Sequence, residues 1–277
     1  MDQLPNPIPS EHAQDSGAFM HPEEIDRDLF GQAPKHHRDW SHRRGEPRVF
    51  TLLWMIYLMG ATMLMFSSMA RAYSISPEIT RPAARSMLVV VVVGFSVLWP
   101  MVRLSQRYPS HLSIRFTIRD IVVLYIPMQA VIWPQSMSML AGWPIEVVAA
   151  ISAFSLAWLG ILAGVIALGS ASIARNSGRE WVRVAWMMMV MVIIFAAPSL
   201  GGLTTNGAGI DVDAPRVGWL LSPVTGVLEI VRPRDALGTS ARVFGDQWRM
   251  IIALFFVGAA LLLITRALEV ARSRYEA

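Results

Sequence analysis

Long apolar blocks separated by polar stretches make up the chain from residue 49 to its end. Most blocks approach the roughly 20 residues that a membrane-spanning helix needs, while the second and sixth are shorter and would tilt little or recruit flanking residues. The pattern predicts an all-α polytopic membrane protein with six transmembrane helices. The predicted spans are residues 49–70, 86–101, 120–141, 144–171, 181–200 and 249–265.

Residues 1–48 form a polar tail, acidic as far as Asp28 and basic from Lys35 onward. This composition predicts a largely disordered cytoplasmic segment with a basic, interfacial end near Trp40. No basic and apolar leader precedes the first span, so that span is expected to act as the insertion signal. The sequence thus predicts two parts, the tail and a transmembrane domain over residues 49–277.

Basic residues are unequally distributed between the two ends of the predicted spans. By the positive-inside rule both termini are cytoplasmic, and residues 201–248 form a long external loop between spans five and six. Arg44 and Arg274 are expected inside, and Asn206 and Arg234 outside. The fifteen basic residues on the cytoplasmic side are Lys35, Arg38, Arg43, Arg44, Arg48, Arg103, Arg107, Arg115, Arg119, Arg175, Arg179, Arg183, Arg266, Arg272 and Arg274.

Composition excludes several functions. The absence of cysteine rules out disulfides, thiolate metal sites and iron–sulfur clusters. All six histidines lie outside the predicted spans, so no haem can be ligated there, and no mid-span carboxylate is available to relay protons. The arginines stand beside apolar blocks rather than among aromatic residues, which indicates topology determinants and no nucleic-acid surface. No cofactor is expected.

Two polar clusters have ligand atoms for a metal, but both are interpreted otherwise. The spacing of His36, His37 and His42 matches no zinc pattern and favours a solvated tail. Asp211 and Asp213 lack the later glutamate of a calcium loop and favour a turn. No hydrolase or nucleotide-binding motif occurs, so the chain is not expected to be an enzyme.

Span three carries Pro127, Pro134, Gln129 and Gln135. Prolines kink a helix and free backbone carbonyls, and buried amides need partners. This span is therefore expected to face protein or a water-lined path rather than lipid.

Span four carries a stripe of small residues that includes Ala153, Ala157, Gly160 and Gly164. Small residues let helix backbones approach closely in lipid, so the stripe predicts a helix–helix contact. Both a subunit interface and packing within one chain are consistent with it.

The external loop contains an apolar stretch that is too short to span a membrane. Ser222 and Pro223 form a helix-start signal, and the sequence RPR after Val231 is a stop. A short interfacial or re-entrant helix is expected, and it requires the rest of the protein to cover its ends.

Within this short helix, Val227 and Leu228 are expected to contribute packing. Glu229 and Arg232 are expected to stay near lipid headgroups or water.

Three segments resemble the permease subunit of ABC-2-type transporters: LGSASIARNSGREW after span four, WLLSPVTGVLEIVRP before span six, and RMIIALFFVGAALLLITRALEVARSR at the end. The resemblance implies a multi-pass subunit in a bacterial cytoplasmic membrane, surrounded by lipids and paired with a second permease copy or a paralogue. It also implies a separate ATPase that docks on the tail and on Arg103, Arg107 and Arg115. The loop after span two lacks the glutamate and Gly-Lys that the family usually has there.

Two other functions are weighed beside this one. A non-catalytic accessory or scaffold subunit of a membrane complex would use the small-residue stripe and the tail to hold partners. A membrane-embedded enzyme ranks third, because no acid, base, nucleophile or metal set is visible inside the predicted spans.

Overall fold

The computed structural model of the protein describes residues 47–70, 76–105, 113–176, 180–205, 215–234 and 241–275. All of them belong to the unit Gly45–Ala277, so the predicted tail lies almost wholly outside the described residues. Throughout the described ranges the chain is helical, apart from connecting turns and one isolated antiparallel bridge between Pro233 and Ala241. The predicted all-α fold is confirmed.

The described residues include eight α-helices: α1 Pro47–Met69, α2 Pro77–Val93, α3 Trp99–Ser105, α4 Ser113–Ile132, α5 Ile145–Arg175, α6 Glu180–Thr205, α7 Pro223–Ile230 and α8 Gly245–Tyr275. Five helical stretches are long and apolar enough to cross a membrane: Val49–Ser67, Ile79–Ser105, Ile114–Ser136, Ile145–Ile173 and Gly245–Ala271. They correspond to predicted spans one to four and six, and they identify a multi-pass integral membrane protein. Helix α6 occupies the position of predicted span five.

The sequence predicts that the second and sixth spans either tilt little or recruit flanking residues. In the structure both recruit flanking residues. Helix α2 begins after the extended Ser76 with Pro77 at its first position, where proline is tolerated. It continues through a π-helical turn, Gly94–Leu98, into α3, and the resulting apolar stretch has 27 residues. The sixth span also has 27. The predicted spans are too short because each apolar block ends near an arginine, whereas the helix itself continues past that residue.

Gly94 lets α1 approach α2 closely. A Cβ atom there would lie 2.8 Å from the ring of Trp54, which stacks on Tyr57 with ring centroids 5.5 Å apart. The Tyr57 hydroxyl donates to the Val90 carbonyl at 2.7 Å, and the Trp54 indole nitrogen donates to the Leu124 carbonyl at 3.0 Å. These bonds attach α1 to both α2 and α4.

Helix α5 is the centre of the bundle. Within its most apolar window 78% of the residues are buried, against 22% for α1 and for α8. Its neighbours among the described helices include α4, α6, α7 and α8. A helix that is apolar on all sides is expected to occupy such a position.

The small-residue stripe of α5 packs against α8. A Cβ atom at Gly258 of α8 would lie 2.9 Å from the backbone nitrogen of Ile161 and 3.0 Å from the carbonyl carbon of Gly160. One turn later, a Cβ atom at Gly164 would lie 2.6 Å from that of Leu261. Ala157 is buried in the same region, and Ala153 is partly buried. The stripe is thus used within the chain, which is one of the two alternatives consistent with the sequence.

Gly258→Ala is expected to lower the free energy of unfolding by about 1–3 kcal/mol, because the added methyl group meets backbone atoms that cannot move aside. Gly60→Ala is the matched control, since no heavy atom lies within 4 Å of a Cβ atom there and alanine favours the helix. Thermal unfolding of both variants in lipid nanodiscs measures the difference. Equal stability of the two variants would contradict the close crossing of α5 and α8.

The connection between α4 and α5 fixes one end of the bundle. Pro127 lies inside α4, and Pro134 stands in the 3-10 turn Trp133–Ser136 that ends the span. Gly142 then adopts a positive φ of 59°, which glycine tolerates without strain. We call the end with loop 137–144 the distal end and the opposite end the basal end.

Candidate functional site

Residues 215–234, here called the re-entrant segment because both of its ends meet at Glu229, contain the short helix that the sequence predicts. A 3-10 turn, Val217–Leu221, precedes the extended Ser222, and α7 begins at Pro223. Ser222 occupies the N-cap position, although its hydroxyl is buried and makes no capping hydrogen bond. The helix starts where the sequence signal places it, and its first turn is held by proline geometry rather than by the serine side chain.

The re-entrant segment descends beside α5. The Trp158 indole nitrogen donates to the Leu220 carbonyl at 3.2 Å, and a Cβ atom at Gly226 would lie 2.9 Å from two ring carbons of Phe154. Phe154 and Trp158 lie nine and thirteen residues after Ile145, or roughly 14 and 20 Å along the helix axis. The segment therefore packs against the flank of α5, well below its first turn.

Helix α7 turns most of its apolar side chains towards the protein. Val227 and Ile230 are fully buried, as is Leu220 in the turn before the helix. Leu228, which the sequence predicts to pack, remains 37% exposed. Helix α7 has neighbours in α2, α5 and α6, so its cover comes from several spans.

Glu229 binds both ends of the re-entrant segment. Only 1% of the residue is exposed. Its Oε1 atom accepts hydrogen bonds from the Arg216 backbone nitrogen at 2.9 Å and from the Arg234 guanidinium at 2.7 Å. Arg232 lies 3.6 Å from the other carboxylate oxygen. The expectation that Glu229 stays near headgroups or water is wrong, because the chain after α7 folds back and brings its arginines to the carboxylate.

Arg234 also attaches this segment to the start of α8. Its guanidinium carbon lies 4.9 Å from the centre of the Phe244 ring. The Phe244 backbone nitrogen donates to the side-chain oxygen of Gln247 at 3.0 Å, and the bridge between Pro233 and Ala241 lies beside this contact. The re-entrant segment is thus held at both ends and braced against the last span.

A second buried ion pair lies at the basal end. The guanidinium of Arg103 makes two hydrogen bonds to the Asp120 carboxylate, and the Trp99 indole donates to the same carboxylate at 3.2 Å. The Arg103 guanidinium also lies 4.4 Å from the centre of the Phe50 ring. These contacts join the beginning of α1, the end of α3 and the first turns of α4.

This arrangement corrects the role predicted for Arg103. The residue is 4% exposed, so its guanidinium is not available to a docking ATPase. Arg107 lies outside the described residues, and Arg115 is exposed. Arg103 is buried because Asp120, the acidic residue of α4, lies beside the end of α3 and binds its guanidinium.

The amide of Gln129 takes part in a hydrogen-bond network between α4 and α5. Its oxygen accepts from the Ser152 hydroxyl at 2.6 Å and from the Trp133 indole at 3.0 Å, while its nitrogen donates to the Tyr125 carbonyl at 3.3 Å. The Tyr125 hydroxyl lies 2.8 Å from that of Ser152 and must donate to it, because the serine hydrogen goes to Gln129. The network satisfies the amide within the protein.

The other residues singled out in span three differ in how deeply they are buried. Gln135 is buried, and its nitrogen donates to the Val131 carbonyl at 3.3 Å. Pro127 and Pro134 are partly buried. The opposite face of α4 exposes Ile118, Val122 and Ile126, so this span packs against protein on one face only rather than over its whole surface.

The chemistry of these clusters is structural. Among the described residues no group of three or more histidine, cysteine, aspartate or glutamate side chains could hold a metal ion. His36, His37, His42, Asp211 and Asp213 lie outside the described ranges. Each buried carboxylate is bound by arginine, so neither stands ready as a free acid or base. The Glu229 cluster fixes the segment that contains α7. The Asp120 cluster joins the ends of α1, α3 and α4.

Sequence reasoning missed the two ion pairs and the partners of Gln129. The signal for the basal pair is an arginine and an aspartate that flank one short loop at the ends of adjacent spans. The signal for the distal pair is a glutamate inside an apolar helix followed directly by two arginines. Charged residues within apolar segments indicate buried pairing.

Comparison with protein-family models, curated proteins and solved structures finds no match to this chain. The fold and the geometry described above are therefore the basis for inferring function.

Proposed function

We propose that this chain is the permease subunit of an ATP-driven transporter of the ABC-2 type. It would form the translocation path with a second copy or a paralogue in a bacterial cytoplasmic membrane. In this proposal α6 is the fifth of six spans and α8 is the sixth, both termini are cytoplasmic, and the distal end is external. A separate subunit hydrolyses ATP, and this chain is not an enzyme.

The observation that carries the proposal is the re-entrant segment. It stands between α6 and α8, descends along α5, and is held by Glu229 at both of its ends. Irregular backbone at membrane depth is tolerated where protein covers it or where it borders a water-filled cavity. A short covered helix at the external mouth suits a protein that must control access to a path between subunits.

The ATPase would meet the basal end. Because Arg103 is buried, the exposed basic residues of that end carry the proposed docking surface, and among the described residues these are Arg115, Arg119, Arg175 and Arg266. Arg107 lies outside the described residues, in the sequence between α3 and α4. Surface charge of one sign favours encounter with a partner of the opposite sign.

Membrane topology is the first test of the proposal. Asp246→Cys in exposed distal α8 should react with an impermeant thiol reagent in intact cells, and Arg175→Cys at the basal end should react only after the membrane is opened. The chain has no native cysteine, so every signal reports the introduced one. Labelling of both positions in intact cells would contradict the six-span topology.

Co-purification is the second test, and it addresses function directly. Gentle detergent extraction should recover an ATPase that carries the sequence GxxxxGK[ST], since this chain has no phosphate-binding loop of its own. Replacing Arg115 and Arg119 together with glutamate should sharply reduce that recovery. Arg249→Glu, at the distal end, is the control for added negative charge and should leave recovery unchanged.

A non-catalytic scaffold subunit is the second candidate. Two buried ion pairs fix both ends of the bundle, and a rigid bundle suits a protein that holds partners. The loop after α3 also lacks the glutamate and Gly-Lys usual in the ABC-2 family. Recovery of redox or structural subunits without any ATPase would favour this function over transport.

A further inference from the structure

The first turns of α2 carry two arginines on one side. Arg81 and Arg85 are four residues apart, so they are neighbours on the helix surface, and both are partly buried. Both lie inside the apolar stretch Ile79–Ser105. They stand just before the uncharged, mostly apolar run that begins at Met87, which places them where hydrocarbon gives way to headgroups if that run spans the membrane.

The loop between α4 and α5 is bound to the same helix turns. The Arg81 Nε atom donates to the Ala141 carbonyl at 2.9 Å, and the Thr80 hydroxyl donates to the Leu140 carbonyl. Trp143 follows in this loop, is 2% exposed, and its indole nitrogen has no hydrogen-bond partner within the described part of the chain. The loop therefore fixes the position of Arg81.

Arg85 has no anionic partner among the residues that the structure describes. Its buried Nε–H group donates to no acceptor in the described ranges. No carboxylate in those ranges forms an ion pair with Arg85. The neighbouring charge of Arg81 is of the same sign, and like charges four residues apart on a helix repel. A partly buried guanidinium beside another one is unfavourable unless an anion lies between or above them.

We propose that Arg81 and Arg85 form a binding site for a phosphate group at the distal end of α2. The planar guanidinium donates two parallel hydrogen bonds to phosphate oxygens, and this geometry is the reason that arginine is common at phosphate sites. The phosphodiester of an anionic phospholipid and free inorganic phosphate share this chemistry. This inference does not depend on the transport function.

Native mass spectrometry of the full chain tests the site. The purified protein is titrated with phosphatidylglycerol or with phosphatidylcholine, and retained lipid is counted. Because the charge-assisted bonds of one arginine are lost, Arg85→Gln should bind phosphatidylglycerol about tenfold more weakly. Arg85→Lys should keep part of the affinity, since charge remains without the planar fork. Arg249→Gln, which changes an exposed arginine at the distal end, should bind as the parent does.

Competition with inorganic phosphate distinguishes the two sources of the ligand. Displacement of phosphatidylglycerol by millimolar phosphate supports a site for the free anion, while its persistence supports a lipid headgroup. Unchanged affinity in a folded Arg85→Gln variant would overturn the proposal and leave Arg85 as a side chain that reaches water. Equal affinity of the parent for the anionic and the zwitterionic lipid would overturn it as well.

Discussion

Glu229→Ala is expected to lower the free energy of unfolding by about 3–5 kcal/mol, because it leaves the buried guanidinium of Arg234 without its carboxylate partner. The same change removes the acceptor of the Arg216 backbone nitrogen, so both ends of the re-entrant segment lose their common attachment. Thermal unfolding in lipid nanodiscs measures the loss.

Asp246→Asn is the matched control for Glu229→Ala. Asp246 and Arg249 form an ion pair in the same part of the molecule at 3.0 Å, but their side chains are 57% and 82% exposed. Exposed pairs of this kind contribute about 0–1 kcal/mol. If the two carboxylate variants unfold at the same temperature, Glu229 does not hold the segment in the way described.

Asp120→Ala should destabilise the basal end by a similar amount, about 3–5 kcal/mol, since Arg103 would remain buried without a counter-charge. Trp99 would also lose the acceptor of its indole hydrogen. The double variant Arg103→Met with Asp120→Leu should recover most of the lost stability, because an apolar pair of similar volume needs no solvation. Urea or thermal unfolding of Arg103→Met, Asp120→Leu and the double variant gives the coupling energy.

Arg119→Gln serves as the control at the basal end. Arg119 directly precedes Asp120 in the chain, but its side chain is exposed. Its replacement should change stability by no more than about 0.5 kcal/mol. Additive losses for Arg103 and Asp120, without recovery in the double variant, would contradict a direct buried pair.

Much of the fold follows from properties that act over short distances in the sequence. Apolar runs predict the long helices, and the pair Ser222 and Pro223 predicts the start of α7, because a fixed φ and a missing N–H favour the first helical position. The small-residue stripe on α5 predicts a close crossing in the same way. The identity of the helix that crosses there depends on Gly258, almost 100 residues later, and periodicity carries no information about that partner.

Hydropathy alone does not predict the charged clusters, because it scores each residue without regard to its partners in space. A window average counts Glu229 and Arg234 as two unfavourable residues near the end of a short helix, and it assigns them to water. Their burial depends on a backbone reversal after α7 that brings opposite charges together. Arg103 is a similar case. Its position after span two is typical of a surface residue, and it is buried only because α4 packs Asp120 against it.

The crossing of α5 and α8 has a consequence for biogenesis. During synthesis α5 leaves the ribosome about 100 residues before α8, so its glycine-bearing face has no partner while the intervening helices insert. The backbone nitrogen of Ile114 is bound by the Glu269 carboxylate at 3.1 Å, so the start of α4 is also completed by the last helix. Chains stopped before α8 would therefore expose the core helix to lipid and to quality-control proteases, and only nearly complete chains would escape degradation.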